Sequence, residues 1–217
     1  MDLTLYFFPG ACSRVTMTAL EAIGVPYRDC CVNLRVDAHR SATYRTVNPK
    51  AKVPALDIGG RVMTENAAIL FYLDRSYPAA NLLPRDEDAV GGVSGLVDLA
   101  WCASTLQPMM RQIRAPDKYT AGDPAPVKAD GMGKFAAECD GIATRLADRW
   151  WYGDRWSIVD TYLFWLLNTA QKGGFPLADY PALVRHAQEE RQRPALQRAL
   201  ARERVAAERH AIDGLEF

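Results

Sequence analysis

An α/β first half followed by an all-helical second half is the architecture this chain predicts. Three observations predict it: a strand–helix–strand order at the start, a glycine-turned hairpin with a helix behind it, and apolar residues at helical spacing everywhere past a proline-broken acidic stretch near residue 85. The 217 residues, 49% of them hydrophobic, suffice for one large domain or two small ones with a real core. Twenty-six basic residues balance 26 acidic ones, so no global charge draws the chain to nucleic acid or to an anionic membrane surface. The five cysteines (Cys12, Cys30, Cys31, Cys102, Cys139) are scattered and lack the paired spacing of zinc sites or disulfide oxidoreductases. The chain enters a strand at once, with no basic-then-apolar leader and no apolar run of membrane-spanning length. A soluble protein of the reducing cytoplasm is expected.

Leu3 to Phe8 is a β-rich start, and Ser13 to Ile23 carries apolar residues at helical spacing until Gly24 supplies a C-cap. A second strand is expected from Arg28 to Leu34, parallel to the first, with loop or broken helix from Arg35 to Tyr44. Val53 to Met63 reads as a hairpin turned by Gly59-Gly60, and Glu65 to Tyr77 as a helix with Ala68, Ile69, Tyr72 and Leu73 on one face. Pro78, Pro84 and the acidic residues from Asp86 to Asp88 mark a domain boundary: 1–80, a linker at 81–88, and 89–217. Helices are expected near 89–114, 127–151, 157–171, 180–193 and 195–209, with a proline-rich loop from 115 to 126. A βαβ unit, a hairpin and a helix within the first 80 residues is the order of a thioredoxin-like domain.

The chemistry begins at Pro9-Gly10-Ala11-Cys12, where the first strand gives way to the first helix. A thiol at a helix N-terminus meets free N–H groups and the positive end of the helix dipole, both of which favour thiolate. The bland reading of Cys12 is a small residue filling a turn. Ser13 beside it is a good N-cap. Trp156-Ser157-Ile158-Val159-Asp160 reads as a capping box. His39, His186 and His210 show no metal-ligand spacing, and no metal is expected.

With these segments in hand, the chain resembles the glutathione transferase superfamily over essentially its whole length, and Pro9-Gly10-Ala11-Cys12-Ser13 is similar to the bacterial beta class. The resemblance implies that Cys12 faces the sulfur of glutathione, with Ser13 as rival donor, since related classes use a serine. It implies that Asn48-Pro49-Lys50-Ala51-Lys52-Val53-Pro54-Ala55-Leu56 carries a cis-proline at Pro54, so that Val53 pairs strand-fashion with the cysteinyl unit, and that Lys52 or a basic residue among Arg35, His39 and Arg40 serves the glycyl end. In Thr64-Glu65-Asn66 it implies an acid for the γ-glutamyl ammonium at Glu65 and a donor for its carboxylate at Asn66. Where beta-class enzymes place a histidine, this chain has Gln107, which hydrogen-bonds but does not shuttle protons near neutral pH. Phe8, Gln107, Met110 and Tyr119 are the expected lining for a hydrophobic electrophile, with Phe7, Trp101, Met109 and Ile113 as further candidates. Ser157 and Asp160 are expected to serve folding. The implied function is transfer of glutathione to an apolar electrophile in a homodimer. Thiol–disulfide exchange through Cys12 is one alternative, and a non-catalytic ligand-binding member of the fold is another.

Overall fold

The computed structural model describes residues 2–85 and 93–215. The last residues of the expected linker and the first of the expected helix at 89–114 lie outside the described residues. Backbone contacts divide the chain into two compact units, Met1–Leu82 together with Arg193–Phe217, and Leu83–Gln192.

In the first unit, β1 (Leu3–Phe7), β2 (Arg28–Cys31), β3 (Ala55–Ile58) and β4 (Arg61–Thr64) form one sheet in the order β2-β1-β3-β4. β1 runs parallel to β2, with Tyr6 opposite Cys30, and antiparallel to β3, with Leu5 opposite Leu56. Between β3 and β4, Gly59 and Gly60 both take positive φ (59° and 93°), the geometry a two-residue hairpin turn demands and β-carbons resist. β2 is shorter than expected. Val32 N–H still donates to Phe7 O at 2.7 Å, but the Asn33 side chain then accepts from Arg35 N–H and bends the chain into two 3₁₀ turns. A short helix α2 (Ala42–Val47) follows, capped by Ser41 Oγ accepting from Tyr44 N–H at 3.1 Å. Helices α1 (Ser13–Ile23) and α3 (Asn66–Ser76) complete the expected pattern, α1 ending at Gly24 with φ 77°.

The final helix, α9 (Pro194–Arg209), packs on α1 and belongs to this first unit, whereas reading along the chain places 195–209 with the helical half. Its buried stripe of Leu196, Ala199, Leu200, Ala206 and Ala207 meets a helix, α1, whose residues Ser13 to Glu21 are all buried. Two charges in α1 therefore need partners: Arg14 donates from Nε (2.9 Å) and Nη2 (2.6 Å) to Glu203 Oε2, and Glu21 accepts from Arg198 and Arg202.

The second unit holds α4 (Ser94–Trp101), α5 (Gln107–Arg114), α6 (Ala125–Arg145), α7 (Ile158–Lys172) and α8 (Pro181–Arg191). The single helix expected up to Arg114 is instead α4 and α5 joined by a π turn at Cys102–Leu106. Pro108 is the reason: it has no N–H to give a carbonyl one turn back and its ring clashes there, so the helix widens before it. α7 is nearly all buried, and its capping box is present as expected. The Asp160 carboxylate also reaches beyond the cap, accepting from Trp151 N–H at 2.7 Å and facing His186 Nε2 at 3.1 Å.

Candidate active site around Cys12

Three chain segments of the first unit converge at the N-terminus of α1. Cys12 occupies the N-cap position, half-buried and in no disulfide, with its Sγ 3.7 Å from the carbonyl of Val53. The Val53–Pro54 peptide bond is cis, as the resemblance implies. The loop ahead of it is pinned from behind, since Lys52 O accepts from both Tyr44 Oη and Asn48 Nδ2 at 2.7 Å. Lys52 itself points its side chain into solvent, and the Val53 N–H makes no hydrogen bond among the described residues. That leaves an extended peptide edge beside the thiol, the arrangement that takes another peptide strand-fashion.

The helix N-terminus is built differently from expectation. Ser13 is not the N-cap. It is the first residue of α1, fully buried, and its Oγ accepts from Phe8 N–H and donates to Phe8 O, both at 3.2 Å. These bonds fasten the end of β1 to the start of α1 and occupy the hydroxyl. Burial, with Cys30 and Asp29 nearby, pushes the Cys31 thiol up to about 11, and burial with Asp29 raises Cys30.

Glu65 stands at the entry to α3 with φ 73° and a side chain 63% exposed. Its Oε1 accepts from Lys50 Nζ at 2.8 Å, and the same ammonium donates to Thr64 Oγ1 at 3.1 Å. Asn66 turns inward. It is 6% exposed, its Oδ1 accepts from Thr16 Oγ1 at 2.6 Å, and its Nδ2 donates to the Cys12 carbonyl at 3.0 Å. Asn66 thus braces the thiol-bearing turn. Nothing in the sequence motif gives Lys50 a role, and only its three-dimensional pairing with Glu65 marks it.

The tail after α9 returns to the same place. Ile212 is 5% exposed and clusters with Phe8 and Ala207, against which Ala11, Cys31, Leu34, Val53 and Leu215 pack. The Arg35 guanidinium donates to the Asp213 carbonyl, so the residue considered for the glycyl end is engaged with the tail. Of the four residues expected to line an electrophile site, Phe8 is 8% exposed and belongs to this cluster, and Met110 is wholly buried in the second unit. Gln107 accepts from Tyr162 Oη at 2.6 Å, and Tyr119 is 45% exposed. Among the described residues no group of three or more His, Cys, Asp or Glu is placed to hold a metal ion, and no helix is long and apolar enough to cross a membrane.

A β1-α1-β2 unit, a cis-proline ahead of β3 and a helix after the hairpin define a thioredoxin-like domain, here joined to a helical region. Residues 1–75 match the family model for the glutathione S-transferase N-terminal domain. A maleylpyruvate isomerase of Ralstonia sp is 29% identical over 84% of this chain and 88% of its own length, and a maleylacetoacetate isomerase of Rattus norvegicus is 30% identical over 82% of both. The solved structure of a sphingomonad glutathione S-transferase complexed with glutathione is 31% identical, covers 93% of this chain and 99% of its own, and superposes with a TM-score of 0.81. The chain belongs to the glutathione transferase superfamily.

Proposed function

We propose that the protein is a glutathione transferase, which holds the tripeptide extended beside Cys12 and presents its thiolate to an apolar electrophile. The observation that carries this reading is the peptide edge at Val53, next to a cis-proline and 3.7 Å from the Cys12 thiol. The sphingomonad relative, complexed with glutathione, supports the ligand. The residues fit it: Val53 offers an N–H and a carbonyl to the cysteinyl unit, Glu65 offers an exposed carboxylate to the γ-glutamyl ammonium, and the N-terminus of α1 favours negative sulfur at Cys12. Lys52 is the exposed cation nearest in sequence for the glycyl carboxylate. In the reaction a carbon–sulfur bond forms and either a leaving group departs or the adjacent carbon takes a proton. The chain's part is to orient the thiol and stabilise its anion. Cytoplasmic location and a homodimer accompany this proposal.

A second reading, cis–trans isomerisation by reversible thiolate addition to a double bond, is favoured by the names of the two curated relatives. Calorimetric titration with glutathione, repeated with Glu65→Ala, tests the shared site: binding that the substitution weakens at least tenfold supports it, and absence of wild-type binding refutes it. Thiol consumption then separates the reactions, since conjugation uses up glutathione while isomerisation returns it. Cys12→Ser should retain part of a conjugating activity. Complete loss of it, together with disulfide reduction by the wild type, would move the assignment to thiol–disulfide exchange.

A further inference from the structure

The resemblance gives the γ-glutamyl carboxylate to the side chain at position 66, yet the Asn66 amide here is buried and bonded to Thr16 and to the Cys12 carbonyl. Those bonds take the amide oxygen and one of its two N–H groups and hold the side chain inside, so a carboxylate arriving at the start of α3 meets an exposed donor first. Lys50 is placed to be that donor. Its ammonium has three N–H groups; one is directed at Glu65 Oε1 and one at Thr64 Oγ1, which leaves the third. The side chains are 54% exposed at Lys50 and 63% at Glu65, so a ligand reaches both. The second oxygen of Glu65 accepts no hydrogen bond among the described residues.

Resting on the glutathione reading above, we infer that Lys50 is a specificity-determining residue and that Glu65 and Lys50 together form a receptor for the zwitterionic head of an α-amino acid. The ligand's ammonium takes the open oxygen of Glu65, and its α-carboxylate takes the open N–H of Lys50. Four charges then alternate in sign, each with opposite neighbours, so the Lys50–Glu65 contact need not break when ligand binds. An exposed ion pair has little worth by itself. A pair held ready at the spacing of an ammonium and a carboxylate on one carbon acquires its value from the ligand. The Thr64 hydroxyl keeps the lysine at this post, since a free lysine side chain would sample many rotamers.

The test uses the full-length protein and three thiol tripeptides: glutathione, its analogue without the α-amino group (glutaryl-Cys-Gly), and its analogue without the α-carboxylate (4-aminobutyryl-Cys-Gly). Affinities are measured by calorimetry for wild type, Lys50→Gln and Lys50→Arg, with circular dichroism confirming that each variant is folded. The expected result is that Lys50→Gln weakens glutathione and the glutaryl analogue by about five- to tenfold and leaves the 4-aminobutyryl analogue within about twofold, while Lys50→Arg restores glutathione binding. Equal or tighter glutathione binding by Lys50→Gln would make the lysine a mere placeholder on Glu65 and overturn the inference. An equal loss for all three ligands would also overturn it, because Lys50 would then act by shaping its loop. If wild type binds none of the three, the glutathione reading itself fails and takes the inference with it.

Discussion

Removing the charge of Glu203 should cost the first unit a large share of its stability. Glu203 is fully buried and takes two hydrogen bonds from Arg14, whose side chain is 3% exposed. Glu203→Gln leaves that guanidinium in the interior facing a neutral amide, and breaking a buried pair from one side costs about 3–5 kcal/mol. Against a whole-domain stability of about 5–15 kcal/mol, this is a large fraction. For a chain of this size it corresponds to a drop of roughly 6–20 °C in melting temperature. Thermal and urea unfolding followed by far-UV circular dichroism would read it. Arg14→Met with Glu203→Leu removes both desolvation penalties and fills similar volume, so it should recover to within about 2 kcal/mol of wild type. A Glu203→Gln loss below about 1 kcal/mol would refute the claim that the pair is tightly desolvated. A double variant no better than the single would show that packing, rather than uncompensated charge, dominates at this contact.

Other substitutions test other parts of the structure. Asp160→Ala removes the acceptor for Ser157 N–H, Ser157 Oγ and Trp151 N–H and the partner of His186, all buried, so it should cost about 3 kcal/mol or more rather than the ~1 of a helix cap alone. Activity per folded molecule should be unchanged, and a folded but inactive variant would contradict the structural assignment of Asp160. Burial by itself raises Glu21, but hydrogen bonds from Tyr27, Arg202 and Arg198 outweigh it and hold the carboxyl below its usual 4.5. A depressed folded-state pKa gives stabilisation that is present above 4.5 and lost as pH falls through the folded value. Glu21→Gln should therefore flatten the acid limb of a stability–pH profile, and an unchanged limb would refute the linkage. Burial pushes Cys139 up to about 12 and Cys102 well above its ordinary value, so an aromatic disulfide reagent should modify neither until the protein is denatured. Rapid labelling of either in native protein would show that the second unit opens.

Local chemistry made much of this fold legible. The Gly59-Gly60 turn, the Gly24 C-cap and the capping box at Ser157 each depend on residues within a few positions of one another, and each is present. The return of α9 to α1 was not legible, because Leu196, Ala199 and Leu200 state that a helix face is buried without stating against what. Arg14 carried a signal that periodicity ignores: a charge inside an otherwise buried helix requires an opposite charge from elsewhere in the chain. At the site, Cys12, Val53 and Glu65 were readable as types of chemistry in sequence order. The roles of Ser13 and Asn66 were not. A hydroxyl can cap a helix or tie down a neighbouring strand, and an amide can meet a ligand or brace a turn. The Asn66 contacts with Thr16 and the Cys12 carbonyl come from residues distant in sequence, and the Ser13 contacts with Phe8 cross the turn between β1 and α1, neither of which a local pattern announces. Pro108 offered the clue to the interrupted α4–α5 pair, which apolar spacing alone reads as continuous.

The packing of α9 on α1 sets a clock on synthesis. Arg14 leaves the ribosome 189 residues before Glu203. At about 5–20 residues per second, that is an interval of about 10–40 s during which the sheet, Cys12 and an unmatched cation exist without the helix that buries them. The nascent chain therefore presents the open side of α1 to the cell until α9 has emerged. Messages that slow the ribosome between the codons for α1 and those for α9 would lengthen that exposure, and a chain released before α9 would carry every residue proposed to touch glutathione yet lack the helix that encloses α1.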